Sequence, residues 1–211
     1  MAKGILVAML DFSGIAEDEF HDWYDLEHVP ERRRIPGFLG AERWLGASEP
    51  KLSLATYDLE SIDVLASAPY RATAESPTPW TKRVTARSPL RLRYEGEQLR
   101  PGAALAPTDA IAALLMAMNV APEHEAELNE WYNVEHLPAL AAVPGTLSAR
   151  RYRGRGATQR YLALYHFDRP DVPSSAAWKT AANTPWTQRM RPLFRDFLRM
   201  EWRRYRRTDA A

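Results

Sequence analysis

The strongest constraint on this fold is that the chain writes one long pattern twice. Residues 23–37 read WYDLEHVPERRRIPG and residues 131–145 read WYNVEHLPALAAVPG, identical at seven of fifteen positions, where unrelated segments of ordinary composition would share roughly one. At a constant offset of 108, Trp23, Tyr24, Glu27, His28, Pro30, Pro36 and Gly37 match Trp131, Tyr132, Glu135, His136, Pro138, Pro144 and Gly145. Arg43 and Tyr57 match Arg151 and Tyr165 at the same offset, and after a two-residue shortening TPWTKR (78–83) matches TPWTQR (184–189). A register that survives across nearly a half-chain indicates duplication of a complete folding unit. The seam is GEQLRPGAALAPTDA (96–110), where glycine, proline and alanine mark a linker. The expected division is a first repeat over 1–98, a linker over 99–108 and a second repeat over 109–211.

Each half has the same order of elements. The apolar runs GILVAMLDF and AALLMAMNV read as buried strands. A helix follows, from about Glu17 or Pro122, with Phe20, Trp23, Tyr24 and Glu27 at helical spacing and a stop at IPG or VPG. Two short strands joined by glycine-containing turns come next, then a proline-broken helical region holding TPWT, then a last strand. The fold class expected is α+β: two tandem ferredoxin-like β-α-β-β-α-β units with both helices on one sheet face. The other face of each antiparallel sheet is then covered by the other half, as an intrachain barrel.

Composition narrows the function. Of 211 residues 45% are apolar, enough for a sizeable core, and the net charge of +1 creates no global field for nucleic acid or an anionic membrane. Cysteine is absent, which removes disulfides and thiolate chemistry. The start, MAKGILVAMLDF, resembles a first strand more than a signal peptide, and no run reaches the roughly 18 apolar residues of a membrane span. A cytoplasmic protein is expected. No glycine-rich phosphate loop, no G-x-S-x-G elbow and no metal-ligand cluster occurs in the sequence.

The pattern W-Y-x-x-E-H-x-P, followed six residues later by P-G and a strand, resembles the EthD-like branch of the dimeric α/β-barrel superfamily. The resemblance covers both halves. It implies two ferredoxin-like sheets closing face to face, with pockets between sheet and helices or at the barrel. Relatives in that superfamily include isomerases, polyketide cyclases, cofactor-free monooxygenases, stress-responsive proteins and, more distantly, haem-binding enzymes. Fold does not choose among these. The reading is a small-molecule enzyme without organic cofactor, acting by proton transfer on a carbonyl, lactone or phenolic substrate as isomerase, cyclase, lyase or oxygenase. The alternatives are a non-catalytic ligand-binding or stress-related protein, or a haem enzyme, since a lone histidine can be an axial ligand. Partners are a small aromatic or carbonyl-containing ligand, with no nucleic acid and no membrane, in a monomeric pseudo-dimer or a homodimer.

The candidate chemistry lies on the repeated helix. Pro30 and Pro138 have no N–H, so the carbonyls of Leu26 and Val134 lose their helical donor beside a histidine. A kink there exposes an imidazole that titrates near pH 6.5. His28 and His136 are therefore the candidate acid–base groups, with Tyr24 and Tyr132 as donors to a substrate oxygen. Trp23, Trp131, Trp80 and Trp186 are candidate flat walls for the ligand; the competing reading of the helix tryptophans is simple packing. Arg43 and Arg151 share a strand face with apolar residues, where a cation needs a counter-charge. Structural ion pairs Glu27–Arg43 and Glu135–Arg151 are expected, the alternative being that these arginines bind a substrate carboxylate. Arg32, Arg33 and Arg34, absent from the second copy, read as a solvated helix end or an anion-attracting entrance.

Overall fold

The computed structural model describes residues 2–207. The first half runs β1 (Gly4–Asp11), α1, β2 (Phe38–Gly46), β3 (Leu52–Leu59), α2 (Ala68–Glu75), α3 (Pro79–Arg87) and β4 (Leu90–Arg100). Here α1 is a composite of Glu17–Asp22, a π-helical stretch Trp23–His28 and Val29–Arg33. The second half repeats this order with β5 (Ala112–Asn119), α4, β6 (Thr146–Gly154), β7 (Tyr161–Phe167), α5 (Ala176–Ala181), α6 (Pro185–Met190) and β8 (Arg195–Arg204). In α4 the corresponding stretches are Glu125–Trp131, a π-helical Tyr132–His136 and Leu137–Ala141.

All eight strands close into one antiparallel barrel in the order β1-β3-β2-β8-β5-β7-β6-β4. Each half contributes four consecutive strands, β4-β1-β3-β2 and β8-β5-β7-β6, and the halves join at two seams. One seam pairs β2 with β8 from Trp44↔Arg204 to Gly46↔Trp202, and the other pairs β4 with β6 from Gly96↔Gly154 to Arg100↔Arg151. β4 thus continues to Arg100, two residues into the segment expected as linker, because those residues find partners across the seam. The last four residues of the expected second repeat, 208–211, lie outside the described residues.

Strand alternation sorts side chains into three cores. Ile5, Val7, Met9, Trp44, Leu54 and Tyr94 of the first half meet Leu115, Tyr152, Leu162, Leu164 and Trp202 of the second inside the barrel. On the outside, each half packs its own helices against its own sheet, around Phe20, Trp23 and Tyr57 in the first half and Leu128, Trp131 and Tyr165 in the second. The two repeated motifs prove to be each other's partners. Thr78 and Thr184 cap α3 and α6 by accepting from the N–H groups of Thr81 and Thr187, both at 3.0 Å. The capping hydroxyls then donate to Glu27 Oε1 at 2.6 Å and Glu135 Oε1 at 2.5 Å, tying α1 to α3 and α4 to α6.

A buried ion pair crosses between the halves. Arg150 Nη1 on β6 donates to Asp58 Oδ1 on β3 at 2.6 Å, with the guanidinium fully buried. Asp58 Oδ2 also accepts from the backbone N–H of Ala106 at 2.6 Å, so one carboxylate holds the second sheet and the connecting segment together. Replacing one member strands the other charge in the interior, which typically costs 3–5 kcal/mol, whereas removing both charges costs far less. The expected result is that Arg150→Met or Asp58→Asn lowers the urea unfolding free energy by about 3 kcal/mol, while the Arg150→Met/Asp58→Leu double variant loses less than the sum of its single changes.

Candidate functional site

The repeated helix carries its chemistry on a widened turn. Proline at 30 or 138 cannot donate, and the backbone answers by shifting to i→i+5 bonding: Val29 N–H donates to Tyr24 O and Leu137 N–H to Tyr132 O. The expected kink is therefore a π-turn, a form that recurs at functional sites. It stacks each histidine on its tryptophan, with ring centroids 4.5 Å apart for His28 and Trp23 and 4.1 Å apart for His136 and Trp131.

The two histidines differ in what lies in front of them. His136 lines a cavity of about 720 Å3 between α4, α5, α6 and the outer sheet face. Leu114 and Met116 of β5 form the floor, Trp131 and Leu140 one wall, Trp178, Ala182 and Thr187 the other, and Phe194 and Phe197 part of the rim. Lys179, Arg191 and Arg199 also face this space, and no acidic side chain is among the lining residues. Arg191 is held at the rim by hydrogen bonds to Asn183 Oδ1 at 3.2 Å and Ala182 O at 3.0 Å, and Arg199 by Glu201 at 2.7 Å.

In the first half the residues at the matching positions contact one another. Tyr70 occupies the place of Trp178, each the third residue after its capping serine, Ser67 or Ser175. The Tyr70 hydroxyl accepts from Arg93 at 2.9 Å, and Arg93 is the counterpart of Arg199 because it pairs with Ala8 as Arg199 pairs with Met116. Arg32, where the second half has Leu140, lies over the Tyr70 ring at 5.2 Å and donates to Thr73 at 2.7 Å. Of the three arginines read as a solvated helix end, Arg32 is thus buried inside the half and plugs it.

Both imidazoles are held neutral. Burial, reinforced by Arg191 and Arg151, lowers the pKa of His136 to about 3, and burial with Arg32 and Arg43 does the same for His28. The Nδ1 atoms of both rings are buried and without a hydrogen-bond partner. This departs from the unperturbed titration expected from sequence: neither group carries a charge at neutral pH while its surroundings stay as they are.

Several expected roles are relocated. Glu27 does not pair with Arg43, nor Glu135 with Arg151. Glu27 Oε1 accepts from the Thr78 hydroxyl and, at 3.0 Å, from that of Thr81, at the positive end of α3. Arg43 is bonded instead to Asp25 Oδ1 at 2.7 Å and to His21 Nδ1 at 2.8 Å, while Arg151 has no acid at all among the described residues. Face arithmetic at 100° per residue fails across a π-turn, which has more residues per turn. Tyr24 and Tyr132 are buried beneath these arginines, 4.3 and 4.4 Å from the guanidinium carbons, and do not line the cavity. Trp23 is core, donating from Nε1 to Thr81 Oγ1 at 3.0 Å. Trp131 does line the cavity, and its Nε1 is buried with no partner. Trp80 and Trp186 do not line it; they pack at the edges of the outer cores, Trp186 donating to Glu127 at 3.2 Å. The residues sequence reasoning missed are Trp178, Lys179, Arg191, Phe194, Phe197 and Arg199. The signal available was divergence between otherwise matched halves, as in Tyr70 against Trp178.

Among the described residues no helix is long and apolar enough to cross a membrane. No protein-family model matches the sequence, and no curated protein matches it significantly. Solved structures do share the fold. A candidate monooxygenase of Fusobacterium nucleatum subsp. nucleatum superimposes with a TM-score of 0.62 at 12% identity, over 96% of this chain and 92% of that one. An anthrone oxidase-like protein gives 0.60 at 12% identity over 98% and 92%. A chlorite dismutase of Candidatus Nitrospira defluvii, as an arginine-to-alanine variant, gives 0.62 at 13% over 97% and 91%. What these structures share with the chain is the fold, here a closed antiparallel barrel of eight strands formed within a single chain.

Proposed function

We propose that this chain is a small-molecule enzyme whose active site is the cavity of the second half, with His136 moving a proton on an aromatic, carbonyl, lactone or phenolic ligand. In this reading the halves are tandem ferredoxin-like repeats of the EthD-like kind, one chain is the working unit, and it acts in the cytoplasm. The observation that carries it is the asymmetry of the repeats: His136 lines a cavity of about 720 Å3 walled by Leu140 and Trp178, whereas at the matching positions of the first half Arg32 lies over the Tyr70 ring. Trp178 and the phenylalanine pair at the rim suit a flat ligand. Trp131 Nε1, whose counterpart is used by Thr81 in the first half, is free to donate to a ligand oxygen.

The electrostatics fit a reaction in which negative charge develops. A neutral imidazole accepts a proton poorly in an apolar, cationic surround. When deprotonation leaves an enolate or phenolate beside it, the new anion stabilises the imidazolium, and Lys179, Arg191 and Arg199 stabilise the anion. The base is thus adequate only when the cavity is occupied. No organic cofactor is needed for such a step. Haem, the group that a lone histidine brings into consideration, fits less well. A ligating imidazole almost always donates its other N–H to an oriented partner, and the buried Nδ1 of His136 has none.

Two measurements test this. Titration with 1-hydroxy-2-naphthoate, a flat phenolic acid, should quench tryptophan fluorescence saturably. Exchange of carbon-bound hydrogens of a bound ketone or phenol with solvent deuterium, followed by NMR, should be catalysed. His136→Asn should retain quenching and lose exchange by about 100-fold or more, whereas His28→Asn should keep both. Quenching with no exchange in the parent protein would instead identify a binding protein.

With a folded pKa of about 3 for His136 and for His28, against about 6.5 unfolded, the unfolded chain binds more protons throughout the interval between those values. Stability is then full above pH 6.5 and falls as pH drops toward 3, by up to about 1.4 kcal/mol per pH unit for each histidine. Urea midpoints measured from pH 7 to pH 4 should show this acid limb, and His136→Asn should flatten it.

A further inference from the structure

Arg151 is the least satisfied charge among the described residues. Its side chain is fully buried, and Nε, Nη1 and Nη2 all lack a hydrogen-bond partner. It is sandwiched between the rings of Tyr132 and Tyr161, 4.4 and 4.8 Å from the guanidinium carbon. Cation–π contact offsets part of the desolvation but provides no acceptor for the N–H groups.

The first repeat shows what is missing. Arg43, the same position, is likewise sandwiched by Tyr24 and Tyr205, at 4.3 and 4.2 Å, but is also bonded to the Asp25 carboxylate and to His21. At the matching places the second repeat has Asn133 and Asn129. Asn133 Oδ1 is itself buried and unpartnered, and Asn129 is turned to Glu125 O and the Tyr161 hydroxyl. A separate concavity of about 320 Å3 opens here, lined by Leu99, Arg100, Asn129, Asn133, Arg153 and Tyr161. Arg151 itself does not line this concavity; it lies behind it, with Tyr161 the ring stacked on its guanidinium and Arg100 the residue paired with Arg151 across the β4–β6 seam. The carboxylates nearby are engaged: Glu125 with Arg160 at 2.9 Å and Glu97 with Arg153 at 3.7 Å.

From this we infer that the second repeat binds a small oxyanion, a carboxylate or phosphate group, between Asn133 and Tyr161, where it accepts from Arg151 as Asp25 accepts from Arg43. The first repeat carries its own anion in the chain; in the second an isosteric amide stands in its place, and an external anion reaches Arg151 once the Tyr161 ring turns aside. Arg100 at the mouth supplies attraction, and the Asn133 amide, carrying no charge, leaves the guanidinium without the counter-ion that Asp25 gives Arg43. This site lies on the other side of α4 from the His136 cavity and does not depend on the function proposed for it.

The test is a thermal melt of the full chain in sodium phosphate and in sodium acetate, each against sodium chloride at matched ionic strength. The expected result is a saturable rise of about 3 °C or more with at least one oxyanion, and which of the two acts identifies the group recognised. Asn133→Asp recreates the Asp25 arrangement, so it should melt higher than the parent without anion and no longer respond. Arg151→Met should also lose the response, while retaining the fold as judged by circular dichroism. No oxyanion response beyond chloride, or an Asn133→Asp variant that responds like the parent, would overturn the inference.

Discussion

Everything in this molecule depends on closing a sheet whose four-stranded halves each leave two edges unpaired. An open edge presents a row of free N–H and C=O groups, and pairing β2 with β8 and β4 with β6 removes all four at once. The seams are short, so backbone pairing alone does not fix their register. Inside the barrel Trp44 and Tyr94 of one half interlock with Tyr152 and Trp202 of the other, and Asp58 binds Arg150 across the interface. These interior contacts hold the seams in place. With the inner sheet faces consumed by closure, the outer faces under the helices are where a cavity opens.

On those outer faces the duplicated sequence builds the same frame twice. Glutamate and the capping threonine of TPWT form one hydrogen-bonded unit in each half, joined by Trp23 in the first, and the proline-driven π-turn presents the histidine beside it. The frame does not by itself define a site. A few exchanges distinguish the halves: leucine at the place of Arg32 and tryptophan at that of Tyr70 line the cavity, and asparagine at the places of Asp25 and His21 leaves one arginine without a counter-charge. The cavity and the unpaired Arg151 of the second half thus lie where the first half has side chains that satisfy one another.

The local part of this was legible in the sequence. Strand and helix order, the helix stops at Pro-Gly, the threonine caps and the proline-disturbed turn all follow from rules acting over a few residues, and they recur in the structure at the expected places. The partner of Glu27 was not legible, because a π-turn rotates the helix face and because a carboxylate can be satisfied by threonine hydroxyls at a helix start as well as by an arginine. The cavity was legible only at Trp131 and His136. Its cations come from α5, the end of α6 and β8, more than forty residues away, and no spacing rule links them to the helix.

The same comparison explains why a repeated motif is poor evidence of repeated chemistry. His28 and His136 share sequence, stacking partner, buried Nδ1 and depressed pKa, so each of those features belongs to the frame. What differs is the residue one turn on. Arg32 reaches Thr73 and covers Tyr70, replacing a ligand's charge and volume with the chain's own, whereas Leu140 stops short and leaves the space. Burial of a cation that is hydrogen-bonded and stacked stabilises the first half; an open apolar wall gives up that stabilisation. A fold with one self-satisfied half can carry one under-packed half, because the barrel interior and both seams couple their stabilities. The duplication thus supplies the tolerance that a cavity and a buried, unpaired arginine require.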